Sequence, residues 1–360
     1  MEVRNKLILA INPGSTSTKI AIYQNNKLMF IKNIKHSEDD LKDFQNISDQ
    51  FQFRKDIILK ELKEADINIE EIDAVVGRGG LLKPIPSGVY EVNEKMLEDL
   101  KVGVLGQHAS NLGGMIANDI AKSLSNTRAF IADPVVVDEL QDVARVSGHP
   151  EFERISIFHA LNHKAIARTH ARSVGARYED MNLIVVHLGG GISVGAHKKG
   201  KVIDVNQALD GDGPFSPERS GSLPVGELVK LCFSGKYTQK EIKKMIVGKG
   251  GFVAYLGTNN AYEVEMRVKE GDKKAILIHR AMAYQVAKEI GAMGAVLKGK
   301  VHAILITGGI AYDQDFVSNI TEMVEHIAPV ITYPGEDEMK ALASNGLMVL
   351  EGEVKAMEYV

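Results

Sequence analysis

The chain has 360 residues, 44% of them hydrophobic and 25% charged, which is the usual balance of a globular protein. A chain of this length predicts two domains, since one domain takes about 150 residues. The formal net charge of −4, without a basic arm or stripe, argues against a nucleic-acid-binding protein. No apolar run approaches the roughly 18 residues that a membrane-spanning helix needs.

The N-terminus and the cysteine content indicate where the protein works. Only residues 7–11 form an apolar run after Glu2 and Arg4, which is too short for the core of a secretory signal. The single cysteine, Cys232, cannot form an internal disulfide, as expected in a reducing compartment. Its setting in LVKLCFSG indicates an apolar helix face rather than a nucleophile. We therefore predict a cytoplasmic protein.

The first predicted elements are two strands joined by a glycine turn. Residues 7–11 have the length of a buried strand, Asn12-Pro13-Gly14 is turn chemistry, and apolar and polar residues alternate again from Thr18. A turn rich in hydroxyl and backbone N–H groups is suited to bind an anion. It is not a P-loop, which opens into a helix. Any phosphate site here therefore belongs to a β-hairpin.

The same pattern returns about half a chain later. The stretch LIVVHLGGGISVGAHKKGKVIDV, residues 183–205, is again a strand, a glycine turn, a strand, a polar turn and a strand. Leu7 and Leu183 begin equivalent strands, and Asn12 and Leu188 fall at the same step. A duplication this long indicates two related domains rather than a solenoid, whose period is about 20–50 residues. One run of glycines can simply mark a sharp turn, but two matching hairpins predict a shared phosphate site.

A third glycine turn follows a strand that begins near His302. After Thr307-Gly308-Gly309, the residues Phe316, Ile320 and Val324 recur at helical spacing. The helix N-terminus can receive a nucleotide, although an ordinary strand–helix connection has the same pattern. The three turns together predict the actin, Hsp70 and sugar-kinase fold. This is an α/β fold of two duplicated ribonuclease H-like (actin-like ATPase) domains, each a mixed sheet with flanking helices around a nucleotide cleft.

Four motifs, in their order and spacing, resemble the acetokinase family: INPGSTSTK, HLGGGISVGAH, PERSGSLP and ITGGIAYD. The resemblance extends from about Leu7 to about Leu350. It implies reversible in-line transfer of the γ-phosphoryl group of ATP to the carboxylate of a short-chain fatty acid, with Mg²⁺, giving an acyl phosphate and ADP. It also implies a homo-oligomer, a dimer or larger. Acetate kinases have HLGNG and GEN where this chain has HLGGG and GIA, and both departures favour the butyrate branch of the family.

The resemblance further implies which residues bind ATP. They belong to the three glycine turns and their flanks: Asn12, Gly14, Ser15, Thr16, Ser17, Lys19, His187, Gly189, Gly190, Gly191, Gly308, Gly309 and Ile310.

Two arginines match the charge demands of this reaction. A carboxylate acceptor is ionised at neutral pH, so the chemistry needs no general base, but two anions must be held together. By the resemblance, Arg219 of the PERSGSLP motif is catalytic and binds substrate; its alternative is a solvated loop arginine. Arg78 ends the apolar strand at residues 74–76 and takes the same two roles. Acetate kinases read HRVVHGG there, so Arg78 replaces either the arginine or a histidine of that motif.

Histidines are the other expected donors. His159 and His163 are four apart, which predicts a shared helix face. They lack the glutamate of H-E-x-x-H, which argues against zinc. The resemblance makes His159 the catalytic donor to the phosphoryl group, His187 a phosphate neighbour and His108 a substrate neighbour, while His163 suits a buried structural role.

Asp133 is the expected metal ligand. It follows the apolar strand of residues 129–132 and precedes a proline, and an Asp-Pro turn is the alternative to a functional role. The resemblance places Asp133 near Mg²⁺ and the substrate as a catalytic residue. A second metal carboxylate is left open between Asp313 and the run Glu336 to Glu338.

The domain prediction is residues 1–134 with about 335–360 as domain I, and 135–334 as domain II. In domain II, a long helix over residues 275–297 should bury one face, formed by Ile278, Met282, Val286, Ile290 and Met293. The sequence leaves alternatives. An acetate or propionate kinase shares the fold and mechanism, an actin-like assembly ATPase shares the phosphate hairpins, and a sugar kinase would need a general base. An Hsp70-like chaperone is disfavoured, because no peptide-binding domain follows.

Overall fold

The computed structural model describes residues 5–360, and these divide into two compact units. One unit takes the chain up to Val137 together with Asp337–Val360, and the other takes Asp138–Glu336. The chain thus leaves the first unit and returns to it for its last helix. Each unit contains a mixed sheet with helices packed on it.

The first unit is built on a sheet with the strands β1 (Leu7–Pro13), β2 (Ser17–Gln24), β3 (Lys27–Lys35), β4 (Ala74–Arg78), β5 (Val89–Glu91) and β6 (Arg128–Ala132). Their order across the sheet is β3-β2-β1-β4-β6-β5. β1, β2 and β3 form an antiparallel meander, whereas β4 and β6 continue the sheet parallel to β1. β5 closes the edge antiparallel to β6.

Helices cover both faces of this sheet: α1 (Glu38–Leu41), α2 (Phe51–Glu64), α3 (Glu94–Val102), α4 (Asn111–Lys122) and the C-terminal α13 (Glu338–Leu350). Alternate strand residues such as Leu9 and Ile11 pack with Ile58 of α2 and Ile116 of α4 in one apolar core. On the opposite face α13 lies on the sheet, with Gly346 against Val76. Short 3₁₀ turns precede α2 (Ile47–Gln50) and β4 (Ile69–Glu71).

The second unit repeats the plan with the strands β7 (Asn182–Leu188), β8 (Ile192–Lys198), β9 (Lys201–Val205), β10 (Ala303–Gly308) and β11 (Val330–Pro334). Their order is β11-β10-β7-β8-β9. β7, β8 and β9 form an antiparallel meander, and β10 and β11 continue it parallel to β7. The predicted duplication is therefore confirmed for the meander and the two parallel strands that follow it, whereas β5 has no counterpart in the second unit. In each unit a glycine turn joins the first two strands of the meander.

The helices of the second unit are α5 (Asp142–Arg145), α6 (Ala160–Ser173), α7 (Val225–Cys232), α8 (Gln239–Ile246), α9 (Gly251–Leu256), α10 (Ala261–Lys269), α11 (Lys273–Val296) and α12 (Gln314–Val324), with 3₁₀ turns at Tyr178–Asp180 and Gly309–Tyr312. The predicted core face of α11 is confirmed, because all five of its apolar residues are buried. Phe316, Ile320 and Val324 of α12 are buried in the same core.

The setting of Cys232 differs from the prediction. It ends α7, as the sequence indicates, but it is exposed, and α7 buries none of its residues within the described chain. The apolar side chains of this segment, including Val225 and Phe233, are exposed as well. Over residues 5–360, no helix is both long enough and apolar enough to cross a membrane.

Candidate active site

Three neighbouring parallel strands of the first unit end at one edge of its sheet. Ile11 of β1 pairs with Gly77 of β4, and Arg78 pairs with Ala132 of β6. The residues that leave these strand ends are Asn12, Arg78 and Asp133. The parallel register therefore brings together three residues that are 66 and 55 positions apart in sequence.

Arg78 joins two of the groups at this edge. Its Nη1 donates to Oδ1 of Asn12 at 3.3 Å and to Oε2 of Glu338 at 3.2 Å. Nδ2 of Asn12 also donates to Oε2 of Glu338, at 2.5 Å. Glu338 opens α13, so the returning C-terminal segment supplies the carboxylate of this cluster. Sequence reasoning included Glu338 among its candidates but could not select it.

Asp133 is held tightly at the end of β6. Its side chain is only 1% exposed, and Oδ1 accepts from the Ser87 hydroxyl at 2.6 Å and the Gly88 N–H at 2.9 Å. Its φ of +37° lies outside the regions that L residues favour. The carboxylate hydrogen bonds hold a strained backbone in place, so the position of this group is set by its surroundings.

The first glycine turn presents polar groups outward. The Gly14 N–H closes the turn by donating to the Ser17 carbonyl at 2.7 Å. Ser15, Thr16 and Lys19 are exposed. His108, the predicted substrate neighbour, also lies in this unit. Its side chain is exposed, and Nδ1 lies 2.8 Å from the Ser110 hydroxyl.

The second and third glycine turns pack directly on each other in the second unit. Gly308 has φ +95°, which favours glycine, and a Cβ there would overlap the Leu188 carbonyl at the end of β7. The ends of β7 and β10 therefore approach backbone to backbone. Gly189, Gly190 and Gly191 follow β7 at once, and the Ser216 hydroxyl donates to the Gly190 carbonyl at 2.6 Å.

Arg219 lies against the second turn. A Cβ on Gly191 would overlap its guanidinium, so glycine is required for this approach. Its Nη1 donates to the Ala208 carbonyl at 2.6 Å, and burial lowers the pKa of the guanidinium. Its Nε is the one side-chain polar atom within residues 5–360 that is buried without a hydrogen-bond partner. A buried N–H donor of a charged guanidinium that lacks a protein acceptor is suited to bind an anionic ligand.

His159 and His187 form a stacked pair beside these turns. Their ring centroids are 3.8 Å apart and their planes differ by 14°. Nδ1 of His187 donates to Oδ1 of Asn162 at 2.8 Å, and Nε2 lies 3.4 Å from Oε2 of Glu336. Because Gly189 adjoins that Nε2, no side chain covers it from there.

The prediction that His159 shares a helix face with His163 was wrong in detail. His159 is the residue before α6, with φ −78° and ψ 59°, and the helix begins at Ala160. The two rings nevertheless meet on one hydroxyl: Nδ1 of His159 lies 2.9 Å and Nε2 of His163 lies 2.8 Å from Oγ of Ser193. Ser193 is the second residue of β8, and sequence reasoning missed it.

A buried relay continues inward from His163. Its Nδ1 lies 3.2 Å from Nε2 of His197, whose Nδ1 lies 2.7 Å from the Tyr178 hydroxyl. Burial lowers the pKa of both His163 and His197 well below its usual value, and the neighbouring basic groups lower it further. Both rings are therefore neutral, so each carries one N–H group and donates one hydrogen bond within the relay.

The N-terminus of α12 is capped by an aspartate side chain. Asp313 caps the helix by accepting from the Phe316 N–H at 3.0 Å and from Nε2 of His279 at 2.8 Å. It is 5% exposed, and these two bonds engage both of its carboxylate oxygens. Ile310 is also buried, within the core, so only its backbone can face a nucleotide.

The edge of the first sheet offers oxygen atoms of the kind that Mg²⁺ prefers. No group of three or more His, Cys, Asp or Glu side chains in the described chain could hold a metal. Mg²⁺ bound to ATP, however, takes most of its oxygens from phosphate and water and one or two from the protein. The Oδ1 of Asn12 and the carboxylate of Glu338 are adjacent oxygens of this kind, and Nη1 of Arg78 bonds to both.

The architecture and the glycine turns define a class, the proteins of the actin-like ATPase fold. Acetate kinase of Porphyromonas gingivalis superimposes with a TM-score of 0.78 at 20% identity, over 96% of this chain and 100% of that one. A propionate kinase of Francisella tularensis gives 0.73 at 20% identity, over 94% and 98%. At these identities the likeness establishes the fold.

The sequence comparisons are more specific. Residues 154–338 match the model of the acetokinase family. Butyrate kinase 1 of Clostridium acetobutylicum is 61% identical over 98% of this chain and 99% of its own length, and butyrate kinase 2 of the same organism is 60% identical over the same shares. The chain belongs to the acetokinase family.

Proposed function

We propose that the protein transfers the γ-phosphoryl group of ATP to the carboxylate of butyrate, giving butanoyl phosphate and ADP, in a reversible reaction. The observation that carries this proposal is the identity of 57–61%, over 98% of the chain, to relatives named as butyrate or probable butyrate kinases. Acetate and propionate kinases match in fold at 20% identity, which gives no comparable support for a smaller acid.

The mechanism that we propose uses hydrogen-bond donors to the transferring phosphoryl group rather than a general base. The butyrate carboxylate is ionised at neutral pH and attacks the γ-phosphorus in line, while the bond to the β-phosphate oxygen breaks. Arg219, whose buried Nε has no partner in the described chain, is suited to bind the oxygens of the transferring group. His159 is suited to donate from Nε2, because its Nδ1 is engaged by Ser193.

The phosphate chain of ATP is assigned to the glycine turns. In the first unit the proposal places it at the turn after Asn12, and in the second unit at residues 189–191 and 308–310. Arg78 and His108 are proposed to bind the acid, and Lys19 and His187 to face phosphate. Gly189 supports the role of His187, since it leaves Nε2 of that ring uncovered on its side.

Magnesium is assigned to Asn12 and Glu338. When bound, Mg²⁺ supplies charge neutralisation on the phosphate oxygens. Asp133 stays in the proposal as a further carboxylate at the same edge of the sheet. Because Ser87 and Gly88 already bond its Oδ1, we expect it to orient the site more than to ligate the ion directly.

We further propose a cytoplasmic, homo-oligomeric enzyme with some breadth of substrate. An apolar pocket discriminates one methylene group by only about 1–3 kcal/mol, so propionate and valerate should react more slowly than butyrate rather than not at all.

The test is an acyl-hydroxamate assay with ATP, Mg²⁺ and acids from acetate to valerate, including isobutyrate. Highest kcat/KM at four carbons supports the proposal. Highest kcat/KM for acetate would keep the fold and the mechanism but move the substrate assignment to acetate. ATP hydrolysis without acyl phosphate from any acid, together with sedimenting filaments, would replace the proposal by an assembly ATPase.

A further inference from the structure

Arg54 is a buried arginine that the site described above does not use. It lies in the first turn of α2, and its side chain is 0% exposed. Its guanidinium reaches across to the first glycine turn, some 40 residues earlier in sequence. The acceptors of its N–H groups are Gly14 O at 2.8 Å, Ser15 O at 3.2 Å, Ser17 O at 3.0 Å, Thr18 Oγ1 at 3.0 Å and, from two of its nitrogens, Gln50 Oε1 at 3.0 and 2.8 Å.

All of these acceptors are neutral. No acidic side chain within residues 5–360 forms an ion pair with Arg54, and burial lowers its pKa to about 10. At neutral pH the group is still charged. The adjacent His36 is no partner for this charge: burial and Arg54 itself lower the pKa of the imidazole, against the effect of Asp40, which raises it. A buried charge is normally paired, so this cation is uncompensated in the protein alone.

The hydrogen bonds of Arg54 also set the direction of the turn. In a trans peptide the carbonyl and the next N–H point in opposite directions. Since the carbonyls of Gly14 and Ser15 face Arg54, the N–H groups of Ser15 and Thr16 face the other way, toward the exposed side of the turn. Neither N–H has a hydrogen-bond partner in the described part of the chain.

We infer that Arg54 is the positioning residue of the first phosphate turn and that the phosphates of the bound nucleotide compensate its charge. The guanidinium pulls the carbonyls inward, so two backbone N–H groups are aimed at the ligand, and its positive charge lies directly beneath the same peptides. This inference rests on the proposed use of ATP. It assigns to Arg54 a role in nucleotide affinity without any contact with the nucleotide.

Gln50→Glu tests the inference without removing Arg54. The substitution is isosteric, keeps the acceptor of the bidentate contact, and gives Arg54 a negative partner near the N-terminus of α2, where a carboxylate is favourable. The free protein should therefore be at least as stable as the wild type. Nucleotide affinity should fall, because the charge that attracted phosphate is already neutralised. Stability and affinity thus move in opposite directions, which a purely structural role does not predict.

The experiment measures Kd by calorimetry for adenosine, ADP and ATP, and the thermal midpoint without ligand. The matched control is Gln52→Glu, which makes the same charge change two positions along the chain, at an exposed residue in the first turn of α2. In Gln50→Glu we expect about a tenfold weaker Kd for ATP, a smaller loss for ADP and no loss for adenosine. KM for ATP should rise with KM for butyrate unchanged. In Gln52→Glu all values should stay within about twofold.

Equal ATP affinity in the two variants would overturn the inference, as would a loss of adenosine binding equal to that of ATP. If Gln50→Glu unfolds, the thermal midpoint is measured with and without tripolyphosphate. Tripolyphosphate should raise the thermal midpoint of the wild type. Arg54→Lys, which keeps the charge, should retain more of this rise than Arg54→Gln. Equal rises would overturn the inference. Failure of the proposed function is a separate result, namely that the wild type binds no ATP or forms no acyl phosphate.

Discussion

The imidazole ring of His159 lies flat on that of His187, with centroids 3.8 Å apart, and each ring is anchored through its Nδ1 atom. The anchor of His187 is the Asn162 amide oxygen, and the anchor of His159 is the Ser193 hydroxyl. In both rings Nε2 lies on the side opposite the anchor, and in His187 it faces the Glu336 carboxylate at 3.4 Å. The direction of each Nε2 is therefore set by residues behind it rather than by the ligand.

Ser193→Ala is expected to lower kcat by about tenfold to a hundredfold with KM for ATP nearly unchanged. The variant removes the hydroxyl that orients His159 and links it to His163. It leaves two buried ring nitrogens short of a partner, so the free energy of unfolding should fall by about 1–3 kcal/mol. Steady-state kinetics and urea unfolding measure the two effects.

The control for Ser193→Ala is Ser173→Ala, because the Ser173 hydroxyl donates to the carbonyl of His170 in its own helix. It should leave kcat unchanged. Full activity in Ser193→Ala at saturating ATP would show that the anchor of His159 is irrelevant to catalysis.

Arg219→Lys is expected to lower kcat by about a hundredfold to a thousandfold. Lysine keeps the positive charge but loses the planar fork, and with it the buried Nε donor that has no partner in residues 5–360. The exposed Arg177 provides a control, since Arg177→Lys in the same unit should be silent. Acyl-hydroxamate formation at saturating ATP and butyrate measures the loss, and a change of less than about threefold would remove Arg219 from the catalytic groups.

Glu338→Gln is expected to raise the Mg²⁺ concentration needed for half-maximal activity by about tenfold or more. The amide retains the hydrogen-bonding shape but not the charge that, beside Asn12, is suited to the ion. Asp337→Asn is the matched control, because Asp337 caps α13 through the Lys340 N–H and asparagine caps equally well. Identical Mg²⁺ dependence in the two variants would contradict the assignment of Glu338.

The sequence was sufficient for the fold and for the strand ends at which Asn12 and Arg78 lie. Hydrophobic runs and glycine turns repeat with enough regularity to define both meanders, and Asn12 and Arg78 follow from where those runs end. Glu338 could not be selected, since it joins Asn12 only when the chain returns 326 residues later. Arg54 and Ser193 carry no local signal: one reads as a charged helix residue and the other as an ordinary strand residue.

One prediction failed for a local reason. His159 looked helical because spacing alone cannot locate where a helix begins, and the ordered turn before Ala160 places its ring by backbone angles outside the helical region.

The stability of the protein is expected to fall between about pH 6.5 and 5.5, before carboxylates protonate. His163 and His197 have a pKa far below the unfolded value because they are buried, so the unfolded chain binds more protons there. Unfolding is then favoured as pH falls through the unfolded pKa. Two such groups give a limiting slope of about 2.7 kcal/mol per pH unit.

Urea unfolding at closely spaced pH values measures that slope. His197→Gln should reduce the slope by the contribution of one proton, which is about half of it. His149→Gln, at an exposed position, should leave the slope unchanged. A free energy of unfolding that is flat across this range would mean that the relay takes up protons in the folded state.

Gly191→Ala and Gly77→Ala are expected to fail in different ways. At Gly77 a Cβ would overlap the backbone of Gly113 in α4, which packs directly on β4. Backbone cannot move aside without shifting the helix, so this variant should lose about 3 kcal/mol of unfolding free energy. At Gly191 the obstructing atoms are the guanidinium of Arg219, the far end of a flexible side chain.

Gly191→Ala should therefore keep its stability within about 1 kcal/mol and lose activity by about a hundredfold, because the arginine must leave its place. Thermal unfolding and kcat are measured on both variants beside Gly148→Ala, where a Cβ meets nothing within 4 Å. A destabilised Gly191→Ala would mean that the turn itself, and not Arg219, resists the methyl group. A stable and fully active Gly191→Ala would mean that the reaction does not depend on where the Arg219 guanidinium lies.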